Sequence, residues 1–308
     1  ANEVDGKTNQ ITYTQWLNSD GKLEADLTVA KLEEEKYLVV VTDTMHRHAE
    51  TWLNNHIPSD AHAFVTDMTS TYGQLNIQGP KSRKLMQELT DTDMSNEAFP
   101  FRHATEIAIG YARVLCIRIT YLGELGYELY IPSEQALHVY DRIVEIGQKF
   151  NLKHAGLKAL SSLRMEKGYR DYGHDIDNTD DPYETGLGFA VNLKKDCDFI
   201  GKTKCIEKKA AGKMSRRLAQ VLVKDPNPFL FHGEVIRRNQ RPIGYVRAGS
   251  YGHSLSGAVG LFMIEAGQPI DKAYMNESIW DIEIAGKIYP AEVSLRPMFD
   301  PKMEKIKA

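Results

Sequence analysis

The sequence predicts an α+β protein that ends in a small antiparallel barrel or sandwich. Strand-like and helix-like segments alternate over the first two thirds of the chain, and turn signals join neighbouring strands as hairpins. Helical periodicity almost vanishes beyond Gly212, where short strand-like segments recur at close spacing. The chain has 308 residues, more than one domain usually holds. We therefore expect two domains, residues 1–212 and 213–308.

The elements of the first domain follow from apolar periodicity and from turn residues. The segment Asn18-Ser19-Asp20-Gly21 is a strong turn signal between the first two strands. Gly168 lies where helices commonly end, and the polar stretch 169–181 reads as a long irregular connection. The predicted strands are Ile11–Trp16, Leu23–Leu32, Tyr37–Val41, Gln74–Ile77, Phe99–Ile109 and Arg113–Thr120. The predicted helices are Met45–Asn55, Lys81–Thr90, Ser133–Phe150, Ala159–Lys167 and a lysine-rich segment that ends near Gly212.

The second domain shows strand patterns almost throughout. Its predicted strands are Arg217–Val223, Glu234–Arg237, Ile243–Ala248, Val259–Ile264, Ile279–Ile284 and Ile288–Leu295.

Composition and motifs narrow the class of function. A net charge of −4 and a pI near 6.2 give no general field for nucleic acid, and no apolar run is long enough for a membrane helix. Three scattered cysteines fit a reducing compartment and predict no metal cluster, and His46 and His48 are two apart, on different faces of a helix. No GxGxxG fingerprint or P-loop follows a strand. We expect a small-molecule or protein partner and no metal.

The stretch from Tyr121 to Glu128 is the candidate pocket. Gly123 and Gly126 are three apart, which permits backbone angles that side chains forbid and lets a ligand approach the main chain. A carboxylate such as Glu128 offers two coplanar acceptors to a heterocycle with adjacent N–H donors, and Tyr121 can stack on the ring. Taken alone, the spacing also fits an ordinary hairpin whose Glu128 faces water.

Five ordered motifs span nearly the whole chain and carry a family resemblance. They are Asn18-Ser19-Asp20-Gly21-Lys22 with Asp26-Leu27, Gln78-Gly79-Pro80, Gly123-Glu124-Leu125-Gly126-Tyr127-Glu128, Ser162-Leu163-Arg164-Met165-Glu166-Lys167-Gly168, and Asp198-Phe199-Ile200-Gly201-Lys202. This order resembles the aminomethyltransferase family, the glycine-cleavage T-proteins. It is more similar still to the folate-binding C-terminal half of sarcosine and dimethylglycine dehydrogenases.

The resemblance implies a fold and a set of site residues. The implied fold has two interleaved α+β units and a C-terminal antiparallel β-barrel around a central hole that holds tetrahydrofolate. In this reading Glu128 binds the pterin N–H groups, Tyr121 lines the same ring, and Asp26 is the catalytic carboxylate that faces the folate nitrogens. Thr42, which stands where T-proteins carry an asparagine, and Arg164 are assigned to the same cofactor site. Leu160 replaces an arginine of the T-proteins.

The resemblance also implies an activity. A flavin-dependent half would oxidise an N-methyl amine, and the folate half would capture the one-carbon unit as 5,10-methylenetetrahydrofolate. FAD would lie on an upstream domain or another subunit, and the first domain would be incomplete at its N-terminus. The implied location is the mitochondrial matrix or the cytoplasm. Two alternatives stay open: a non-catalytic interaction protein related to the regulatory subunit of pyruvate dehydrogenase phosphatase, and a stand-alone aminomethyltransferase.

Overall fold

Strands and short helices alternate along the chain in a computed structural model that describes residues 1–308. The strands are β1 (Ile11–Leu17), β2 (Leu23–Glu33), β3 (Lys36–Val40), β4 (Tyr72–Gln78), β5 (Ala104–Ile109), β6 (Ala112–Ile117), β7 (Gly126–Pro132), β8 (Arg216–Val223), β9 (Val235–Arg238), β10 (Arg241–Gly252), β11 (Gly257–Glu265), β12 (Trp280–Ile284), β13 (Lys287–Pro290) and β14 (Glu292–Ser294). The helices are α1 (His46–His56), α2 (Ser82–Leu89), α3 (Ala136–Gly147), α4 (Leu157–Glu166), α5 (Lys202–Ala211), α6 (Lys272–Asn276) and α7 (Glu304–Lys307). None of these helices has the length and apolar character needed to cross a bilayer.

The chain forms two compact units, each built from segments that are distant in sequence. The first unit consists of Ala1–Asn2, Thr14–Asp26 and Ala155–Lys302. The second unit consists of Glu3–Tyr13, Leu27–His154 and Met303–Ala308. Strands β1 and β2 each contribute residues to both units and form a three-stranded sheet in the order β1-β2-β3. The predicted interleaving of α+β segments is confirmed.

The second unit is organised around a four-stranded antiparallel sheet. Its strand order is β4-β7-β6-β5, so β7 is an inner strand and β4 lies at an edge. Apolar side chains of one face pack with α2 and α3 into a buried core that includes Tyr127 and Leu129 of β7. Because side chains alternate along a strand, Tyr130 points to the opposite face, where it joins a second apolar cluster with Ile11 and Ile117. The sheet therefore has two covered faces.

The first unit contains the C-terminal sheet, which curls towards closure. Its seven strands follow the order β13-β12-β9-β10-β11-β8-β14. The two end strands are consecutive in the chain and are separated by Ala291 alone. One residue cannot span a flat seven-stranded sheet, since neighbouring strands lie about 4.8 Å apart. The sheet must curl until its two ends nearly meet, which confirms the predicted antiparallel barrel.

Several predicted strand boundaries were wrong, and two of the differences have a clear physical reason. The strand expected over Phe99–Ile109 begins only at Ala104, because Arg102 has a φ of +67°, outside the extended region. The strand expected over Ile288–Leu295 divides into β13 and β14, which pair with β12 and β8 respectively. Pro290 lies at the division, and its missing N–H suits the end of a strand.

Candidate functional site

Glu128 lies in the middle of β7, on an inner strand of the second unit. It is directly opposite Asn76 of β4 and Ile117 of β6. Its neighbour Tyr127 enters the core beneath the helices, so the side chain of Glu128 lies on the other face of the sheet. Glu128 is half-buried there. A strand held on both sides gives this carboxylate a fixed backbone position.

Two neutral side chains donate to the same oxygen of Glu128. The hydroxyl of Tyr130 donates to Oε2 over 3.0 Å, and the Nε2 amide of Gln74 donates to Oε2 over 3.4 Å. Nε2 of Gln74 also lies 3.4 Å from the Tyr130 hydroxyl, which closes a small triangle of polar atoms. No residue donates to Oε1 of Glu128. One carboxylate oxygen is thus held by the protein, and the other is available to a ligand.

The electrostatics of this group depend on burial and on those two donors. Burial raises the pKa of Glu128 above its ordinary value, while the hydrogen bonds from Tyr130 and Gln74 act in the opposite direction. No cation contributes to the pKa of Glu128. The pKa of Tyr130 is raised by burial and then by the charge of Glu128, so the phenol keeps its proton at physiological pH. Tyr130 is therefore a permanent donor to the carboxylate.

The loop before β7 begins with Tyr121 and is anchored to the start of α2. Gly123 has a φ of +78°, in the left-handed region that favours glycine. The carbonyl of Leu125 accepts hydrogen bonds from the Gly79 N–H over 2.8 Å and from the Ser82 hydroxyl over 3.1 Å. Tyr121 is half-buried. Gly123 thus lies in this loop, and Gly126 begins β7.

Thr42 lies just after β3 in the same unit as Tyr121 and Glu128. Its hydroxyl is 3.3 Å from Oδ1 of the adjacent Asp43, to which it donates, and its side chain is half-buried. Glu128 makes no hydrogen bond to Thr42 or to Tyr121. The second unit holds these three predicted residues on separate elements, and any shared task would have to be performed through a ligand.

Asp26 lies on β2 in the first unit and is half-buried. The charge of Asp26 acts on the neighbouring hydroxyl of Tyr172. Burial raises the pKa of Tyr172 to about 12, and the charges of Glu24, Asp177, Asp26 and Asp180 act in the same direction. Asp26 therefore lies close enough to Tyr172 for its charge to act on that hydroxyl, together with the carboxylates of Glu24, Asp177 and Asp180.

Arg164 lies on α4 in the first unit and forms a buried ion pair with Asp175. Its Nη1 donates to Oδ1 and Oδ2 of Asp175 over 3.0 and 3.1 Å and to the carbonyl of Tyr169 over 3.0 Å. Arg164 is 5% exposed and Asp175 is fully buried. Burial raises the pKa of Asp175, and the Arg164 guanidinium opposes that effect. The pair fixes the loop that follows α4.

A cleft of about 320 Å³ opens elsewhere in the first unit, beside the turn at Asp20 and helix α5. Lys208 of this cleft pairs with Asp181 over 2.9 Å and with Glu184 over 2.7 Å, so its ammonium group already has carboxylate partners. None of the five residues predicted for the site lines this cleft.

Sequence reasoning missed the residues that hold Glu128 and Arg164 in place. Tyr130 could have been found, because residues two apart on a strand share a face. Gln74 depends on the register of β4 against β7, which brings it directly opposite Tyr130 and leaves no local signal. Asp175 lies in an irregular loop, and only the folded structure pairs it with Arg164.

Comparisons with known proteins assign the chain to a family. Residues 1–195 match the GCVT N-terminal domain, and residues 216–300 match the glycine cleavage T-protein C-terminal barrel domain. The chain is 36% identical over 307 residues to 4-methylaminobutanoate oxidase (formaldehyde-forming) of Paenarthrobacter nicotinovorans, a match that covers 99% of this chain and 36% of that protein. It is 33% identical over 322 residues to mitochondrial sarcosine dehydrogenase of Mus musculus, covering 99% of this chain and 35% of that protein. The chain thus spans about a third of the length of both relatives.

A solved structure shares the fold. The crystal structure of glycine cleavage system aminomethyltransferase T from Bartonella henselae superposes with a TM-score of 0.79 at 22% identity, covering 96% of this chain and 77% of that one. This match confirms the predicted aminomethyltransferase-like fold. The chain therefore belongs to the aminomethyltransferase family, the glycine-cleavage T-proteins.

Proposed function

We propose that this chain is the tetrahydrofolate-binding part of a sarcosine or dimethylglycine dehydrogenase-like protein. In this role it captures the one-carbon unit released by oxidation of an N-methyl amine as 5,10-methylenetetrahydrofolate. The observation that carries the proposal is Glu128, a carboxylate on an inner strand whose Oε2 is held by Tyr130 and whose Oε1 accepts nothing from the protein. Membership of the T-protein family and the names of both relatives support the same reading.

The residues fit a pterin ring. Its amino group and neighbouring ring N–H form a pair of donors, and a carboxylate with a free oxygen is the acceptor that suits them. Glu128 would bind that pair, and Tyr121 would contact the ring. Thr42 and Arg164 are proposed as further parts of the cofactor site, with Arg164 acting through the loop that it fixes by its bond to Asp175.

Asp26 is the proposed catalytic carboxylate. Tetrahydrofolate supplies two amine nitrogens that together bind one carbon at the oxidation level of formaldehyde, with the oxygen leaving as water. Positive charge develops while that carbon changes partners, and a fixed anion stabilises it. Asp26 can supply such an anion because it is a carboxylate held on strand β2 of the first unit. Its charge would also orient an amine that approaches it.

The chain's context within a larger assembly is part of the proposal. Both relatives are about three times as long as the matched region, and both are named for the oxidation of an N-methylated amino acid. We place FAD on a domain or subunit outside these 308 residues. We also propose that the chain divides into domains 1–212 and 213–308, because strand patterns replace helical periodicity at that point. We propose a location in the mitochondrial matrix or the cytoplasm from the resemblance to the dehydrogenases and aminomethyltransferases.

A labelling experiment tests this function in the whole flavin-containing protein. Sarcosine with a ¹³C-labelled methyl group is supplied with tetrahydrofolate and an excess of dimedone, which traps free formaldehyde, and the labelled methylenetetrahydrofolate is measured. If the one-carbon unit passes to the folate before release, the trap does not lower the yield of labelled product. Asp26→Asn should oxidise the amine and release labelled formaldehyde, whereas Asp20→Asn, an exposed carboxylate of the same unit, should behave as wild type.

Two outcomes would count against the proposal. Loss of the labelled product to dimedone in the wild-type protein would mean that this chain captures nothing before release. A chain that folds normally and neither binds tetrahydrofolate nor changes the fate of the label would instead be a non-catalytic interaction protein. Methylene transfer from an aminomethylated carrier without any flavin partner would favour a stand-alone aminomethyltransferase.

A further inference from the structure

We propose that Tyr130 is a positioning residue for Glu128: its hydroxyl holds Oε2 and keeps the carboxylate an anion, so that Oε1 stays available to the N–H donors of a ligand. This inference rests on the proposed function, because it gives Tyr130 a task in the same folate site. It adds a residue that the sequence did not single out.

Strand pairing places the two groups together. Tyr130 and Glu128 are two residues apart on β7 and share a face of the sheet. Gln74 of β4 lies directly opposite Tyr130, and its amide reaches both the Tyr130 hydroxyl and Oε2 of Glu128 at 3.4 Å. The bond from Tyr130 is the shortest of the three, at 3.0 Å. Tyr130 is therefore the principal donor, and Gln74 supports both groups.

The direction of the Tyr130 hydroxyl is fixed by packing. Its ring is only 7% exposed and belongs to the apolar cluster that contains Ile11, Ala30 and Ile117. The ring of Tyr72 stands edge-on to it, with centroids 6.3 Å apart. A tyrosine side chain has two rotatable bonds, and both are constrained once its ring is enclosed. The hydroxyl is thus a preorganised donor.

The anion depends on these donors because Glu128 forms no ion pair. Asn76 and Ile117, directly across from Glu128 on the neighbouring strands, are uncharged. The only groups that stabilise the charged form of Glu128 are Tyr130 and Gln74. A hydrogen bond to an ionised group is about twice as strong as one between neutral groups. Removing the hydroxyl of Tyr130 should therefore make Glu128 harder to ionise and free its carboxylate to rotate.

Tyr130→Phe tests this with two measurements on the 308-residue chain. The first follows the Glu128 side-chain carboxyl carbon by ¹³C NMR against pH without ligand, using Glu128→Gln to assign the signal. The second measures the Kd of tetrahydrofolate across the same pH range under anaerobic conditions. Tyr72→Phe is the matched control, because it removes a hydroxyl from the neighbouring ring and makes no bond to Glu128.

In Tyr130→Phe the titration of Glu128 should move upward by about one pH unit, so tetrahydrofolate should bind about tenfold more weakly at a pH below both midpoints and nearly as tightly above them. The acidic limb of the binding curve should move by the same amount. Gln74→Leu should give a smaller shift in the same direction, since its bond to Oε2 is longer. Tyr72→Phe should leave both curves unchanged.

Three outcomes would overturn the inference: an unmoved Glu128 titration in Tyr130→Phe, an equal shift in Tyr72→Phe, or an affinity loss that is uniform across pH. The last would mean that Tyr130 is merely structural. The ligand-free titration also separates this inference from the proposed function. A shifted titration in a chain whose wild type does not bind tetrahydrofolate would refute the folate role and support the coupling of Tyr130 to Glu128.

Discussion

Tyr130 donates a 3.0 Å hydrogen bond to Oε2 of Glu128, and no cation balances this carboxylate. A carboxylate that is half-buried and lacks a counter-ion lowers the stability of the folded chain when it ionises. We therefore expect the folded chain to be less stable with an ionised Glu128 than with a neutral side chain at that position. Such a cost is common where a group serves a ligand.

The pH dependence of stability should show this cost. The pKa of Glu128 lies above its ordinary value of 4.5, mainly because of burial. A raised folded-state pKa gives stability that is fully present below pH 4.5 and is lost as pH rises through the folded-state pKa. Glu128→Gln cannot ionise, so its free energy of unfolding should exceed that of wild type at pH 7 and match it at pH 4. Urea titrations at both pH values measure this difference. A larger advantage at pH 4 than at pH 7 would contradict the sign.

The loop before β7 should depend on glycine at position 123. With a φ of +78°, Gly123 adopts a conformation that costs an L-residue about 1–2 kcal/mol. Gly123→Ala should lower the free energy of unfolding by that amount and weaken tetrahydrofolate binding, because Tyr121 lies on the same loop. Gly123→Asn should lose less, since asparagine tolerates this region better. Equal losses for both substitutions would mean that crowding, and not the backbone angle, selects glycine here.

The buried pair Arg164–Asp175 should be costly to break. Arg164→Met leaves a fully buried carboxylate without its ion-pair partner, which should cost about 3–5 kcal/mol of unfolding free energy. The double variant Arg164→Met/Asp175→Leu should recover much of that loss. Arg142 provides the control, because its pair with Glu145 is exposed and Arg142→Met should cost less than about 1 kcal/mol. If the double variant were no more stable than Arg164→Met, the buried charge would not be the cause.

Local patterns predicted most elements of the fold because each carries its own signal. Alternation revealed β2 and β6, and apolar periodicity revealed α2 and α3. The strand that was expected to begin at Phe99 begins at Ala104, because Arg102 adopts a left-handed backbone conformation. No local sequence signal predicts that conformation at an arginine. The mixing of distant segments within each unit is set by tertiary contacts, and no local pattern reports it.

The candidate site was predictable in part for the same reason. A motif of spaced glycines pointed to Glu128, and alternation along β7 could have added Tyr130. Strand register brings Gln74 to them, and the fold of the loop after α4 brings Asp175 to Arg164. Sequence spacing predicts neither contact, because the partners lie on different elements and only the tertiary fold sets the distance between them.

The central claim, that Glu128 recognises a folate, is tested most directly by calorimetric titration of the 308-residue chain with tetrahydrofolate at neutral pH. Wild type and Glu106→Gln should bind alike, because Glu106 is an exposed carboxylate of β5 that pairs with Arg113. Glu128→Gln should bind at least about tenfold more weakly, since a charged acceptor is lost. Equal Kd values for wild type and Glu128→Gln, or no binding by the wild-type chain, would contradict the account.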